Sequence, residues 1–151
     1  MLDFFGWTRT ETESAATSVI RANAKAEVEG ATPYAQAAVR RALALSVDNQ
    51  TCLELGYSGR GLVAGNDHVA PMHPGFAKLG TANYDPAQAR SELEAAGLKD
   101  YEHELVTLDD EWLRNTGDAV AAQLQDAGIA VRRSIKPGEQ YWNNWQSYPF
   151  S

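Results

Sequence analysis

Two segments of this chain end in the same way, and together they constrain the fold more than anything else in it. They are Tyr84-Asp-Pro-Ala-Gln-Ala-Arg-Ser-Glu-Leu-Glu-Ala-Ala-Gly97 and Asp118-Ala-Val-Ala-Ala-Gln-Leu-Gln-Asp-Ala-Gly-Ile-Ala-Val-Arg-Arg133. Each has helical apolar spacing closed by a glycine, which enters left-handed backbone freely and so stops a helix. The second segment runs straight into an alternation of Ile129, Val131, Arg133 and Ile135. Upstream, 102–108 alternates as well, with His103, Leu105 and Thr107 on one face and Val106 and Leu108 on the other. Between them, Leu113, Val120, Leu124 and Ala127 mark the inner face of a helix over 110–127. Strand, helix and strand of these lengths form a βαβ unit, with parallel strands and a right-handed crossover. The fold class is α/β, a small sheet containing that unit and flanked by helices.

The remainder arranges itself around the unit. Residues 1–16 are an irregular lead-in, and 17–151 form a single α/β lobe. Val19, Ile20 and Arg21 predict a strand over 17–24, and 27–32 a turn. Pro33 suits a first helical turn, where its missing N–H costs nothing. Ala35, Val39, Leu43 and Val47 then share one face of a helix ending near Ser46, and Asp48 caps a short helix through Leu55. Asp85, Pro86 and Gln88 form a cap, a first helical position and a capping box, with Ala89, Leu93 and Ala96 buried below. Residues 56–84 hold six glycines and two prolines and lack periodicity, a pattern typical of functional or docking loops. Near the end, Tyr141, Trp142 and Trp145 lie on one side of a short helix.

Chemistry is sparse. A net charge of −7 argues against nucleic acid, and the pairs Arg40-Arg41 and Arg132-Arg133 read as a solvated helix face and strand end. No run approaches the roughly 18 apolar residues of a membrane span, so the chain is not membrane-embedded. The opening Met-Leu-Asp-Phe-Phe-Gly-Trp lacks the basic region and cleavage site of a signal peptide. The lone Cys52 is a small buried hydrophobe. Gly59-Arg-Gly61 has no phosphate-loop lysine and is a turn. Asp67, His68 and His73 do not have the spacing of a metal site, and hydrogen-bonded loop histidines are expected. Asp109-Asp110-Glu111 falls where a helix begins, which favours acids for capping reasons. Trp142 and Trp145 fill the core under a terminal helix or form an aromatic recognition surface, the core having the stronger claim. No catalytic residues, cofactor or metal ligands are assigned.

Taken in order, five segments resemble the C-terminal lobe of a family 5 extracellular solute-binding protein of peptide- and nickel-type ABC transporters. They are Ala38-Val-Arg-Arg-Ala-Leu-Ala-Leu-Ser-Val-Asp-Asn49, Gly56-Tyr-Ser-Gly-Arg-Gly-Leu-Val-Ala-Gly65, Val69-Ala-Pro-Met-His-Pro74 leading to the Tyr-Asp-Pro helix, the Gly-Ile-x-Val strand, and Trp142-Asn-Asn-Trp-Gln-Ser-Tyr-Pro-Phe150. The resemblance implies a periplasmic-binding-protein-like (type II) lobe whose first lobe and return segment are absent. It implies a periplasmic protein that holds a peptide or similar small solute between two lobes and passes it to permease subunits. Asn66, Asp67 and His68 would then face the cleft, with Trp142 and Trp145 as further ligand contacts. The alternatives are a stand-alone α/β interaction module without a small ligand, and an enzyme using Asp67, His68 and His73.

Overall fold

The computed structural model describes residues 6, 8, 10–67, 69–78 and 83–151. His68, and most of the opening seven residues, lie outside the described residues. A 3-10 turn, Pro33–Ala35, precedes α1 (Ala37–Leu45) and α2 (Asn49–Tyr57). There follow α3 (Pro86–Ala95), β1 (His103–Leu108), α4 (Glu111–Asp126), β2 (Val131–Lys136) and α5 (Gly138–Asn144). β1 and β2 pair in parallel, in a register running from His103 opposite Val131 to Leu108 opposite Lys136. The expected βαβ unit is present, with α4 as its crossover.

The two matched segments close with the same geometry. Gly97 has φ +73° and Gly128 φ +76°. In the first, the Leu98 N–H bonds the Leu93 carbonyl at 2.9 Å and the Gly97 N–H bonds that of Glu94 at 3.0 Å. In the second, Ile129 bonds Leu124 at 2.9 Å and Gly128 bonds Gln125 at 2.8 Å. These paired bonds satisfy carbonyls the helix leaves over, and only a residue at ease with positive φ permits them.

The starts of α2 and α3 are set by carboxylates, whereas Asp110 stands at the start of α4 without a side-chain cap bond. Asp48 accepts from the Gln50 and Thr51 amides, both at 3.2 Å, and from the Thr51 hydroxyl at 2.7 Å. The hydroxyl is the main cause holding its carboxyl below the usual range. Asp85 accepts from the Gln88 amide at 2.9 Å, with Pro86 in the first helical position. The Gln88 side chain does not complete a capping box. It donates one turn onward to Glu92 at 3.0 Å, and Glu92 in turn pairs with Arg41 of α1 at 2.8 Å.

Leu43 of α1, Leu93 of α3, Leu105 of β1, Val120 and Leu124 of α4 and Ile129 are all buried in one core. Gly56 allows α2 to cross α4 closely, since a Cβ there would fall 2.9 Å from the Thr116 Cα. Gly56 thus lies inside a helix and not in the loop the sequence suggested.

Three local expectations differ. The strand over 17–24 reduces to one antiparallel bridge, Ala22 to Phe150. Pro149, whose carbonyl accepts from the Asn23 N–H at 2.8 Å, has no N–H to return to the pairing. Pro33 opens the 3-10 turn, and the α-helix begins only at Ala37. Ala35 is therefore exposed while Val39 and Leu43 are buried.

Candidate functional site

Parallel strands send their following loops and helix starts to one edge, the carboxyl end, where α/β proteins form ligand crevices. Here β1 ends at Leu108 and β2 at Lys136. The Asp109 N–H bonds the Lys136 carbonyl at 2.8 Å, and its carboxylate pairs with Arg114 at 3.0 Å. Asp109 thus joins the strand ends to the first turn of α4. A cavity of about 40 Å³ opens at this edge, between Val19 and Ile20, Thr107 of β1, Leu113 and Gly117 of α4 and Tyr141 of α5. Val19 is exposed, as is Ile135, the register partner of Thr107. The edge therefore presents apolar surface that the described chain leaves uncovered.

Arg133 buttresses this edge from below. Its Nε donates to Asp118 at 2.9 Å, Nη1 to the Thr107 hydroxyl at 3.0 Å and Nη2 to the Arg114 carbonyl at 3.3 Å. A Cβ on Gly117 would meet its guanidinium at 2.6 Å. The side chain is only 16% exposed, so the expected solvated strand end is corrected: the guanidinium is folded inward against α4. The bare face of Gly117 provides the room, a signal visible in sequence only once the helix phase is known.

The loop residues fall beside α2. Asn66 is exposed with φ +62°. Its Oδ1 accepts from Asn49 Nδ2 at 3.0 Å, and the same nitrogen donates to the Ala64 carbonyl at 2.7 Å. Asn49, at the start of α2, thus holds the loop's turn in place. Asp67 is half-buried, and His73 is exposed. Among the described residues, no group of His, Cys, Asp and Glu could hold a metal ion.

Trp142 and Trp145 do not fill the core. They are 60% and 40% exposed, Trp142 on α5 and Trp145 capping its end, and α5 buries no residue. α5 has one partly covered side, where the half-buried Tyr141 packs with Trp142 and Tyr148. Among the described residues, no hydrogen bond, ion pair or ring contact joins Asn66 or Asp67 to Trp142 or Trp145. A pair that sequence reasoning missed links the loop side to α4. Tyr57, ending α2, meets Trp112 edge-to-face at 5.6 Å, and both remain exposed. The available signal was an aromatic placed directly after the acid cluster, on the polar side of a helix.

Two titratable groups lie away from this edge. The Cys52 thiol is pushed up by burial, which leaves little thiolate, and Gln123 Nε2 approaches it at 3.3 Å. His103, fully buried at the amino end of β1, has its Nδ1 3.0 Å from the Tyr34 hydroxyl. Rings of Tyr101 and Phe150 pack edge-on to it at 4.9 Å and 6.2 Å, and its Nε2 has no hydrogen-bond partner among the described residues. Burial pushes its pKa down to about 4.

A family model, "Bacterial extracellular solute-binding proteins, family 5 Middle", matches residues 4–151. No curated relative matches. Among solved structures, the chain is similar to the binding protein AgaA from A. tumefaciens R10, in complex with agropinic acid. The two share 22% identity at a TM-score of 0.72, over 87% of this chain and 27% of that one. It is also similar to the substrate-binding domain of an oligopeptide ABC transporter from Bacillus anthracis str. Ames, with 21% identity and TM-score 0.68 over 87% and 28%. A third is NikA from Brucella suis in complex with Fe(III)-EDTA, with 20% identity and TM-score 0.62 over 83% and 27%. Identities this low speak to the fold alone, and the fold is periplasmic-binding-protein-like. The chain spans about a quarter of the length of these structures, 27%, 28% and 27% in turn.

Proposed function

The chain belongs to the family 5 bacterial extracellular solute-binding proteins, and from that premise we propose that it forms part of the solute-holding component of an ABC importer. The observation that carries the reading is the family match over residues 4–151. Its role is to hold, with no chemical change to the ligand. Residues 17–151 act as one lobe, and a second lobe closes on it by a hinge motion. The solute is a peptide or a related small molecule, delivered to permease subunits from the periplasm. No helix among the described residues is long and apolar enough to cross a membrane.

The exposed carboxyl-end edge supports this reading, since it is the wall such a lobe would offer to a ligand. Asn66, Asp67 and His68 are further polar contributors from the loop, which runs back along α2 from Tyr57 at this edge to Asn49 at the opposite end of the helix. Trp142 and Trp145 contribute apolar faces from α5, and Tyr57 and Trp112 join them from the two helix ends. Aromatic faces beside a few polar groups suit extended peptides of varied sequence.

Heteronuclear NMR on the 151-residue chain, titrated with a pool of di- to pentapeptides, tests the proposal. The expected result is a set of shifts confined to 57–67, 112–117 and 141–145. Shifts scattered elsewhere, or none at all with the pool at tens of millimolar, would remove the solute-binding reading and favour a protein-interaction module.

A further inference from the structure

Four rings close on one another behind the amino end of β1. The Tyr34 ring stacks on that of Phe150 at 5.9 Å, and Tyr101 and Phe150 stand edge-on to the His103 imidazole. Each comes from a different part of the chain: the 3-10 turn, the loop after α3, β1 and the segment after α5. His103 is fully buried among them.

An imidazole in this place satisfies one ring nitrogen. Nδ1 meets the Tyr34 hydroxyl, and Nε2 has no partner among the described residues. A hydroxyl can donate to a neutral ring or accept from a charged one, so the Tyr34 bond survives protonation. The Nε2–H of an imidazolium would stay buried and unpaired. The charged groups around the cluster are engaged elsewhere. Glu102 and Glu104 pair with Arg132 of β2 at 3.3 Å and 2.9 Å, and Arg40 of α1 donates to the Tyr34 carbonyl at 2.7 Å. Glu29 and Glu104 bear on the Tyr101 hydroxyl. Tyr34 does not compensate by ionising, since burial pushes its hydroxyl far above the ordinary range. A charged ring therefore gains only by reaching water.

Phe150 is the side of this cage that yields. His103 is fixed by the ladder to β2, and Tyr34 by the turn that leads into α1. Phe150 belongs to no helix or named strand, and neither do residues 21–23, to which its segment is bonded. Such segments open before regular elements do. The Val106 N–H donates to the Phe150 carbonyl at 2.9 Å, and the Asn23 N–H to that of Pro149 at 2.8 Å. The same stretch anchors the end of α5. Asn23 Nδ2 donates to the Gln146 carbonyl at 3.0 Å, and the Arg21 guanidinium carbon lies 5.0 Å from the centroid of the Trp145 ring. α5 buries no residue of its own, so these ties bear on its position.

We propose that His103 is an acid-operated latch: a proton on its ring expels Phe150, detaches residues 149–151 from β1 and loosens the end of α5 with Trp142 and Trp145. The use of the latch rests on the solute-binding reading above, in which acid slackens the wall and releases the solute.

The test follows the ¹⁵N-labelled chain from pH 7 to 4 without solute. The Val106 and Ser151 amides and the Trp145 indole N–H should shift in one step with the His103 ring, between about 4 and the ordinary 6.5. The Leu105 and Thr107 amides of the β1–β2 ladder, and that of Leu124 in α4, should keep their positions. His103→Phe and His103→Gln should both abolish the step and match the parent spectrum at pH 7. Phe150→Ala should do the reverse: opened to water, the ring titrates close to 6.5. A step that persists in both His103 variants would overturn the latch. So would a ring that titrates while 149–151 stay bound, or loss of the Leu124 signal in the same step. Peptide-induced shifts at pH 7 should vanish at pH 4 in the parent and persist in His103→Phe. Shifts unchanged by acid in the parent would overturn the release role. A full step with no response to peptides at any pH would sink the solute-binding reading and leave the latch standing.

Discussion

At the scale of single residues, Leu124 is fully buried in the core, so its truncation to alanine both removes apolar contact and leaves a cavity. Leu124→Ala should cost about 2–5 kcal/mol in denaturant unfolding, and a loss under about 1 kcal/mol would mean that the surroundings collapse onto the gap. Gly117 carries a different constraint. A methyl group there would press on the Arg133 guanidinium, which must then give up Thr107 or Asp118. Gly117→Ala should destabilise by about 1–3 kcal/mol, and an unchanged denaturation midpoint would show that Arg133 moves aside freely. His103 makes stability depend on acid. The unfolded chain protonates this imidazole below its ordinary value of 6.5, the folded chain only near 4. Stability from this residue is complete above 6.5 and is lost as pH falls towards 4, by about 3 kcal/mol in all. Unfolding in urea at pH 7 and 4.5 should show a smaller drop for His103→Phe than for the parent chain.

At the scale of elements, legibility followed locality. The caps at Asp48 and Asp85, the stops at Gly97 and Gly128 and the parallel pairing could be read in advance, because each is decided by a few adjacent residues or by a connection length. What could not be read depended on distant partners. The strand over 17–24 required a long pairing edge, and its described backbone partners are Pro149 and Ser151, with Phe150 bridging Ala22. The outward placement of Trp142 and Trp145 depended on α5 having little to pack against, which no property of the two indoles encodes. Tyr57 and Trp112 lie 55 positions apart and meet only because α2 crosses α4 at Gly56. The loop after α2 has its own consequence. Leu62 and Val63 are exposed, and the Asn49 contacts are its described side-chain ties to the helices. Amide exchange over 58–67 should therefore exceed that over 113–127 by orders of magnitude, since α4 is held on its buried face along most of its length. Equal protection in the two stretches would remove the loop from the solute wall.

At the scale of the whole molecule, the described chain offers one wall and no opposing one. Association energy comes from surfaces enclosed on several sides, and a lone wall recovers little of the freedom a peptide loses on binding. Calorimetry with di- to pentapeptides should give affinities weaker than micromolar, or no measurable heat. A sub-micromolar peptide would make the chain a self-sufficient binder and would reverse the two-lobed reading. The tight crossing at Gly56 and Thr116 and the pocketed guanidinium at Gly117 grip α4 at consecutive positions from two directions. A helix held in this way can neither roll nor slide without breaking one contact or the other. Whatever approaches the edge therefore meets a stiff half, carrying Trp112 and Arg114, beside a compliant half formed by residues 58–67. The entropy of fitting falls on the compliant half alone, at about 1–2 kcal/mol for each residue newly fixed. Breadth of recognition would then reside in the loop and discrimination in the helix.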